Sequence, residues 1–316
     1  METTTGIELD GQYRALREGA GLVGRSGRRI LRVSGTEAGD YLEGQLTNDV
    51  EGISAGEGCY AALLDRKGRM QGDLVVLRVA EGEYLLVTEE VAGDAVLRHL
   101  DMYRIGRDAS VEEITAERAI VSLIGPGAAE VAGGGPLGPE HRHRQLELGE
   151  AACTAVATDL GLDLICPASA LGDVRAALVD AGASEVDEAA AEIVRVESGR
   201  PRFGKEMTTA TIPQEAGINE RAVSFTKGCY IGQETVARLH YKGKPNRSLR
   251  GLRLDAPAAD GDPVRLAERE LGTVGTAVIS PAHGPLALAI LRREAEPGAR
   301  VEVGDGSSAE VVDVPF

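Results

Sequence analysis

The chain has 316 residues, 43% hydrophobic and 27% charged, enough for about two domains with cores of their own and no disulfide staples. Its formal charge of −16, from 34 basic and 50 acidic side chains, repels nucleic acid and anionic lipid wherever no local basic patch intervenes. No apolar run reaches the ~18 residues of a membrane-spanning helix, and 3% aromatics without tryptophan supply no stacking platform for single-stranded nucleic acid.

In chain order, Met1–Asp10 carries Glu2, Glu8 and Asp10 and no base, unlike a secretory or mitochondrial leader, so a cytoplasmic protein is expected. Arg28–Val33 alternates as a short strand. Thr36 then opens a helix, able to cap it, with Tyr41, Leu42 and Leu46 at helical spacing. Three strand-like runs follow, Cys59–Asp65, Asp73–Val79 and Tyr84–Thr88, and then a helix over Val91–Arg104. The pattern starts again with a strand at Ala119–Ile124, a short Ala-rich helix, paired strands at Ala151–Thr158 and Leu160–Cys166, and a helix over Ser169–Ala181. Strand–helix–strands–helix, twice, suits two α+β modules of the split β-α-β, ferredoxin-like kind. A further helix is capped by Asp187 and ended by Gly199 and Pro201. Beyond Arg247 only short alternating runs remain, at Ser248–Leu254, Thr273–Ile279, Leu286–Leu291 and Arg300–Val303, the cadence of a small all-β sandwich or barrel. Gly243 and Pro245 mark the boundary.

Chemistry concentrates between Lys227 and Arg250. Six bases (Lys227, Arg238, Lys242, Lys244, Arg247, Arg250) stand there against one acid, Glu234, a local +5 in an acidic chain that holds only five lysines. Such an island is either an anion site or a balance for acidic neighbours within the fold. Gly228 and Gly232 flank Cys229 where a loop turns into a helix running to His240, which permits close backbone approach. A thiol beside Lys227 and a helix start would be a better nucleophile or soft ligand, or else a packed, inert residue. Cys59, Cys153 and Cys166 lie in apolar strand-like runs and read as core. With no Cys-x-x-Cys pair, neither a zinc knuckle nor a thioredoxin-type site is expected, and no metal. His141-Arg142-His143-Arg144 reads as a polar loop, and Gly133-Gly134-Gly135 as a connection.

The run Lys227-Gly228-Cys229-Tyr230-Ile231-Gly232-Gln233-Glu234, with Arg238 a turn beyond, resembles the signature of the YgfZ-type folate-binding proteins, in the superfamily of the glycine-cleavage T-protein, the aminomethyltransferase. Arg195-Val196-Glu197-Ser198-Gly199 resembles that superfamily's R-x-E-x-G helix end, and Ile212–Ala216 the stretch before its signature. The resemblance implies two ferredoxin-like modules over residues 1–244 (roughly 1–117 and 118–244, able to interleave) and a carboxy-terminal β-barrel over 245–316. It implies tetrahydrofolate, or a one-carbon derivative, as cofactor. Glu197 is then a pterin-binding carboxylate, able to accept two adjacent N–H groups. Lys227, Gly228, Tyr230, Gln233 and Arg238 line the folate site, Cys229 is the functional thiol, and Arg195 is structural. Where the T-protein branch has an Asp-Asp pair, this chain reads Gly72-Asp73, so Asp73 holds the second place. The leading expectation is a folate-binding protein that supports assembly or repair of iron–sulfur clusters in client enzymes. Its alternatives are an aminomethyl or methyl transferase using Asp73, and a non-catalytic folate-binding partner protein. Folate and iron–sulfur client or assembly proteins are the expected partners, with neither nucleic acid nor membrane.

Overall fold

The computed structural model of the chain describes residues 6–316, with side chains from residue 9, so residues 1–5 of the acidic start lie outside the described residues. The backbone divides into two units. One comprises Met1–Leu63, Gly72–Ala191 and Lys227–Tyr230, the other Leu64–Gln71, Glu192–Thr226 and Ile231–Phe316.

The first unit begins with α1 (Gly6–Glu18), β1 (Gly21–Gly24), β2 (Arg28–Ser34), α2 (Ala38–Gln45), β3 (Glu57–Leu64), β4 (Met70–Ala80), β5 (Glu83–Glu89), α3 (Glu90–Tyr103) and β6 (Ser110–Glu113). It continues with β7 (Arg118–Ile124), α4 (Ala128–Val131), β8 (His143–Leu148), β9 (Ala151–Ala157), β10 (Gly161–Pro167), α5 (Leu171–Asp180) and β11 (Ser184–Glu185). These strands make a five-stranded sheet, β3-β4-β5-β2-β6, and a six-stranded sheet, β11-β1-β7-β10-β9-β8. Both are ferredoxin-like, and they interleave: β1, from the start of the chain, pairs with β7 and β11 of the second sheet.

Period-two alternation decides which faces meet. Val75 pairs with Val87 and Val87 with Ile30, a row across three neighbouring strands. Those side chains join Ile120, Val156 and Ile165 of the second sheet in one apolar cluster, so the two sheets share a core. On the opposite face of β4, Gly72 lies under α3, where an added Cβ would stand 2.9 Å from Ala92 Cβ and 3.0 Å from Val96 Cγ2. There is thus no room for a carboxylate at position 72. The second sheet packs Val121, Leu123, Leu162 and Leu164 against Val174 and Leu178 of α5.

Thr36 does not cap α2: the helix is preceded by Glu37, and Thr36 Oγ1 instead donates to Asp108 Oδ2 at 2.5 Å. The segment His141–Arg144 is no exposed polar loop, because His143 opens β8 opposite Val156 and both histidines are buried. Burial lowers the pKa of His143 below the usual histidine value.

The second unit takes up α6 (Glu188–Glu197), which starts in the first, and adds α7 (Asn219–Ala222), α8 (Gln233–Lys242) and strands β12 (Arg247–Leu254), β13 (Pro263–Leu266), β14 (Arg269–Ser280), β15 (Gly284–Arg292), β16 (Arg300–Val303) and β17 (Ser307–Val312). The strands close a barrel, β12-β15-β14-β13-β16-β17. Leu252, Val264, Leu271, Val274, Leu291, Val303 and Val311 fill it. Strands β13 and β17 escape the sequence reading, since Pro263 and the Gly304–Gly306 turn obscure their alternation. Among the described residues no helix is long and apolar enough to cross a membrane.

Candidate functional site

In the first unit, β4 carries Asp73 on the face that holds Val75, two residues beyond the shared apolar core. Tyr60 Oη, from β3, donates to Asp73 Oδ2 at 2.7 Å, and Thr88 Oγ1 donates to the Asp73 main-chain oxygen at 2.7 Å. Oδ1 is shut off from water and has no hydrogen-bond partner. Desolvation raises the pKa of this carboxyl from 3.8 to about 6; Glu89 adds to the rise, while Tyr60 and Arg28 oppose it. A half-buried carboxyl with one oxygen shut off from water and unpaired is a costly arrangement, and such groups cluster at functional sites. No motif in the sequence marks Tyr60; its only signal is its place on the strand-like run that becomes β3.

The signature loop contributes Lys227–Tyr230 to the same unit. Lys227 Nζ donates to the main-chain oxygens of Glu43 (2.7 Å), Leu46 (2.9 Å) and Asn48 (2.7 Å) and is 3.1 Å from Glu43 Oε1. Burial lowers the pKa of its ammonium, and Glu43 opposes that shift. All three N–H bonds are engaged and the side chain is 1% exposed, so Lys227 closes the turn after α2 and has no donor left for a ligand anion. The Tyr230 ring is buried, its centroid 5.4 Å from that ammonium, and burial lifts its hydroxyl to about 12. Gly228 and Cys229 are exposed, and a Cβ on Gly228 would meet nothing within 4 Å. Of the other thiols, Cys153 and Cys166 are buried in the second sheet's core. Cys59 is half-buried and raised to about 12, chiefly by desolvation, which leaves it protonated.

In the second unit, Gly232 precedes α8 with φ +87°, and a Cβ there would stand 2.5 Å from the Asp65 main-chain oxygen. Close backbone approach is therefore real at Gly232 and not at Gly228. Gln233 is half-buried at the first position of α8, and Arg238 is exposed midway along it. His240 stacks on Phe225 at 3.8 Å between ring centroids. Glu197, at the end of α6, is 3% exposed. Its Oε1 accepts from Ser280 Oγ at 2.5 Å, while Ser280 Oγ accepts from the Ala282 and His283 amides. Arg195 is held by Glu192 and by fully buried Glu206, and also donates to Thr276 Oγ1 at 2.8 Å, so its role is structural. No group of three or more His, Cys, Asp or Glu placed to hold a metal occurs among the described residues.

The carboxylate on β4, the signature loop and the helix end that carries Glu197 can be set beside known proteins. The chain is 29% identical over 330 residues to an aminomethyltransferase of Saccharopolyspora erythraea, covering 96% of this chain and 89% of that protein. It is 28% identical over 321 residues to an aminomethyltransferase of Rubrobacter xylanophilus, covering 98% and 86%. Among solved structures, the glycine cleavage system aminomethyltransferase T from Bartonella henselae superposes with a TM-score of 0.89 at 23% identity, covering 100% of this chain and 91% of that one, a likeness of fold. A family model described as the GCVT N-terminal domain matches residues 8–227, more than two thirds of the sequence and both interleaved sheets, and the chain belongs to that family.

Proposed function

We propose that the protein binds tetrahydrofolate, or a one-carbon derivative of it, and transfers a one-carbon group in the manner of an aminomethyltransferase. The observation that carries this reading is the state of Asp73: oriented by Tyr60, raised to about 6, and presenting an unpartnered, shielded Oδ1. An orphan acceptor of this kind fits a ligand N–H group, which reduced pterins have. The names of the relatives support the same reaction class. Tetrahydrofolate, when bound, supplies the nitrogen that exchanges the one-carbon unit. Asp73 takes or holds a proton at Oδ1, and a pKa near neutrality suits that task. Tyr60 fixes the carboxyl's orientation through Oδ2. Glu197, a carboxylate of the second unit whose Oε1 accepts from Ser280 Oγ, is proposed on the resemblance alone to accept from the pterin.

Calorimetry with tetrahydrofolate and a transfer assay test this together. Binding is expected, with Glu197→Ala weakening it by about 1.5–3 kcal/mol. Asp73→Asn is expected to abolish transfer while Cys229→Ala leaves it intact. No binding at millimolar tetrahydrofolate, or transfer that depends on Cys229 and not on Asp73, would overturn the reading.

A second reading has one observation in its favour. Cys229 is exposed, and an accessible thiol suits support of iron–sulfur clusters in client proteins. Loss of a client enzyme's activity in Cys229→Ala, with Asp73→Asn unaffected, would favour it.

A further inference from the structure

The ionised and polar groups around Asp73 form a row dictated by strand register. Leu74 pairs with Thr88, so Asp73 lies one step on, across from Glu89, and Glu89 pairs directly with Arg28. With Tyr60 on β3, the row Tyr60–Asp73–Glu89–Arg28 crosses four adjacent strands in sheet order, β3-β4-β5-β2. Directly opposed residues share a face, and this one is the face of Val75, Val87 and Ile30, which packs on the second sheet. Arg28 is held from both sides: Nε is 3.7 Å from Glu89 Oε1, and Nη1 is 2.7 Å from Asp163 Oδ2 on β10. Asp163 accepts in turn from Ser122 Oγ, which accepts from Arg25 Nε at 2.9 Å. Arg25 Nη1 is 2.6 Å from Glu188 Oε2. The arginine is thus immobilised by the second sheet while it lies on the carboxylate's row.

We propose that Arg28 and Glu89 are positioning residues for Asp73, an opposed pair of charges that sets how firmly the carboxyl keeps its proton. This deepens the one-carbon reading by naming the groups that tune its acid–base residue. The charged and titratable groups on the row are Tyr60 from β3, Glu89 from β5 and Arg28 from β2, with Asp163 of β10 behind Arg28. Arg28 favours ionisation and Glu89 disfavours it, in keeping with their opposite influences on Asp73.

The test is a carboxyl-carbon NMR titration of Asp73 in the full-length, ligand-free chain. Arg28→Gln is expected to raise the titration midpoint and Glu89→Gln to lower it, each by about half a pH unit or more. Arg28→Lys, which keeps the charge, is expected to stay near the wild-type value. General loosening of the fold cannot move two variants in opposite directions, so the pair separates tuning from damage. Midpoints that do not move, or that move the same way in both variants, would overturn the proposal. Because no folate is present, opposite shifts in a chain that fails to bind tetrahydrofolate would uphold the tuning and sink the transferase reading alone.

Discussion

The Tyr60 hydroxyl and the Asp73 carboxyl are bonded across neighbouring strands at 2.7 Å, and they divide the work of one ionisable site. The hydroxyl stabilises the charged form, while burial destabilises it more, and the balance raises Asp73 from 3.8 to about 6. A folded-state pKa above the unfolded value means that the native chain binds the proton more tightly. The associated stability is fully present below about pH 4 and is lost as pH rises through about 6. Asp73→Asn is therefore expected to stabilise the protein at pH 7–8, by on the order of 2–3 kcal/mol at most, and to gain nothing at pH 4. Urea unfolding at the two pH values measures this. An equal change at both would show that the carboxyl is not strained by burial.

Lys227 anchors a turn. Lys227→Met is expected to strand three main-chain oxygens and to leave the Glu43 carboxylate with only the Val50 and Glu51 amides to balance its charge. Breaking a buried pair on one side typically costs about 3–5 kcal/mol. The midpoint of chemical denaturation should fall accordingly. A loss of folate affinity at unchanged stability would instead return Lys227 to a ligand role.

The two signature glycines should respond differently to a methyl group. Gly232→Ala places a Cβ 2.5 Å from the Asp65 oxygen at φ +87°, and a cost of about 1–3 kcal/mol is expected. Gly228→Ala meets open space without a left-handed φ and should change stability by less than about 0.5 kcal/mol. Thermal melts of the two variants side by side decide the matter.

Much of this chain is legible before folding. Apolar runs bounded by turn residues at Asp73–Val79 and Tyr84–Thr88, and helical spacing after Glu90, report which segments avoid water, and burial is what builds β4, β5 and α3. The position of Asp73 after a glycine turn, the helix ending near Glu197 and the all-β end of the chain are of the same local kind. What charge counting could not reveal is where a charge goes. Lys227 belongs to a basic island in the linear sequence, yet the carbonyls that hold it lie some 180 residues upstream. His141 and His143 look solvent-exposed beside two arginines until β8 pairs with β9 and buries them. The chain by itself determined its longer strands and helices, β4, β5, α3 and α8 among them, because those depend on burial of neighbouring side chains, whereas short strands such as β8, β13 and β17 carry too few residues to show a pattern. Only the tertiary structure decided that Tyr60, Asp73, Glu89 and Arg28 share one row, because strand register and sheet order join residues that no local spacing relates.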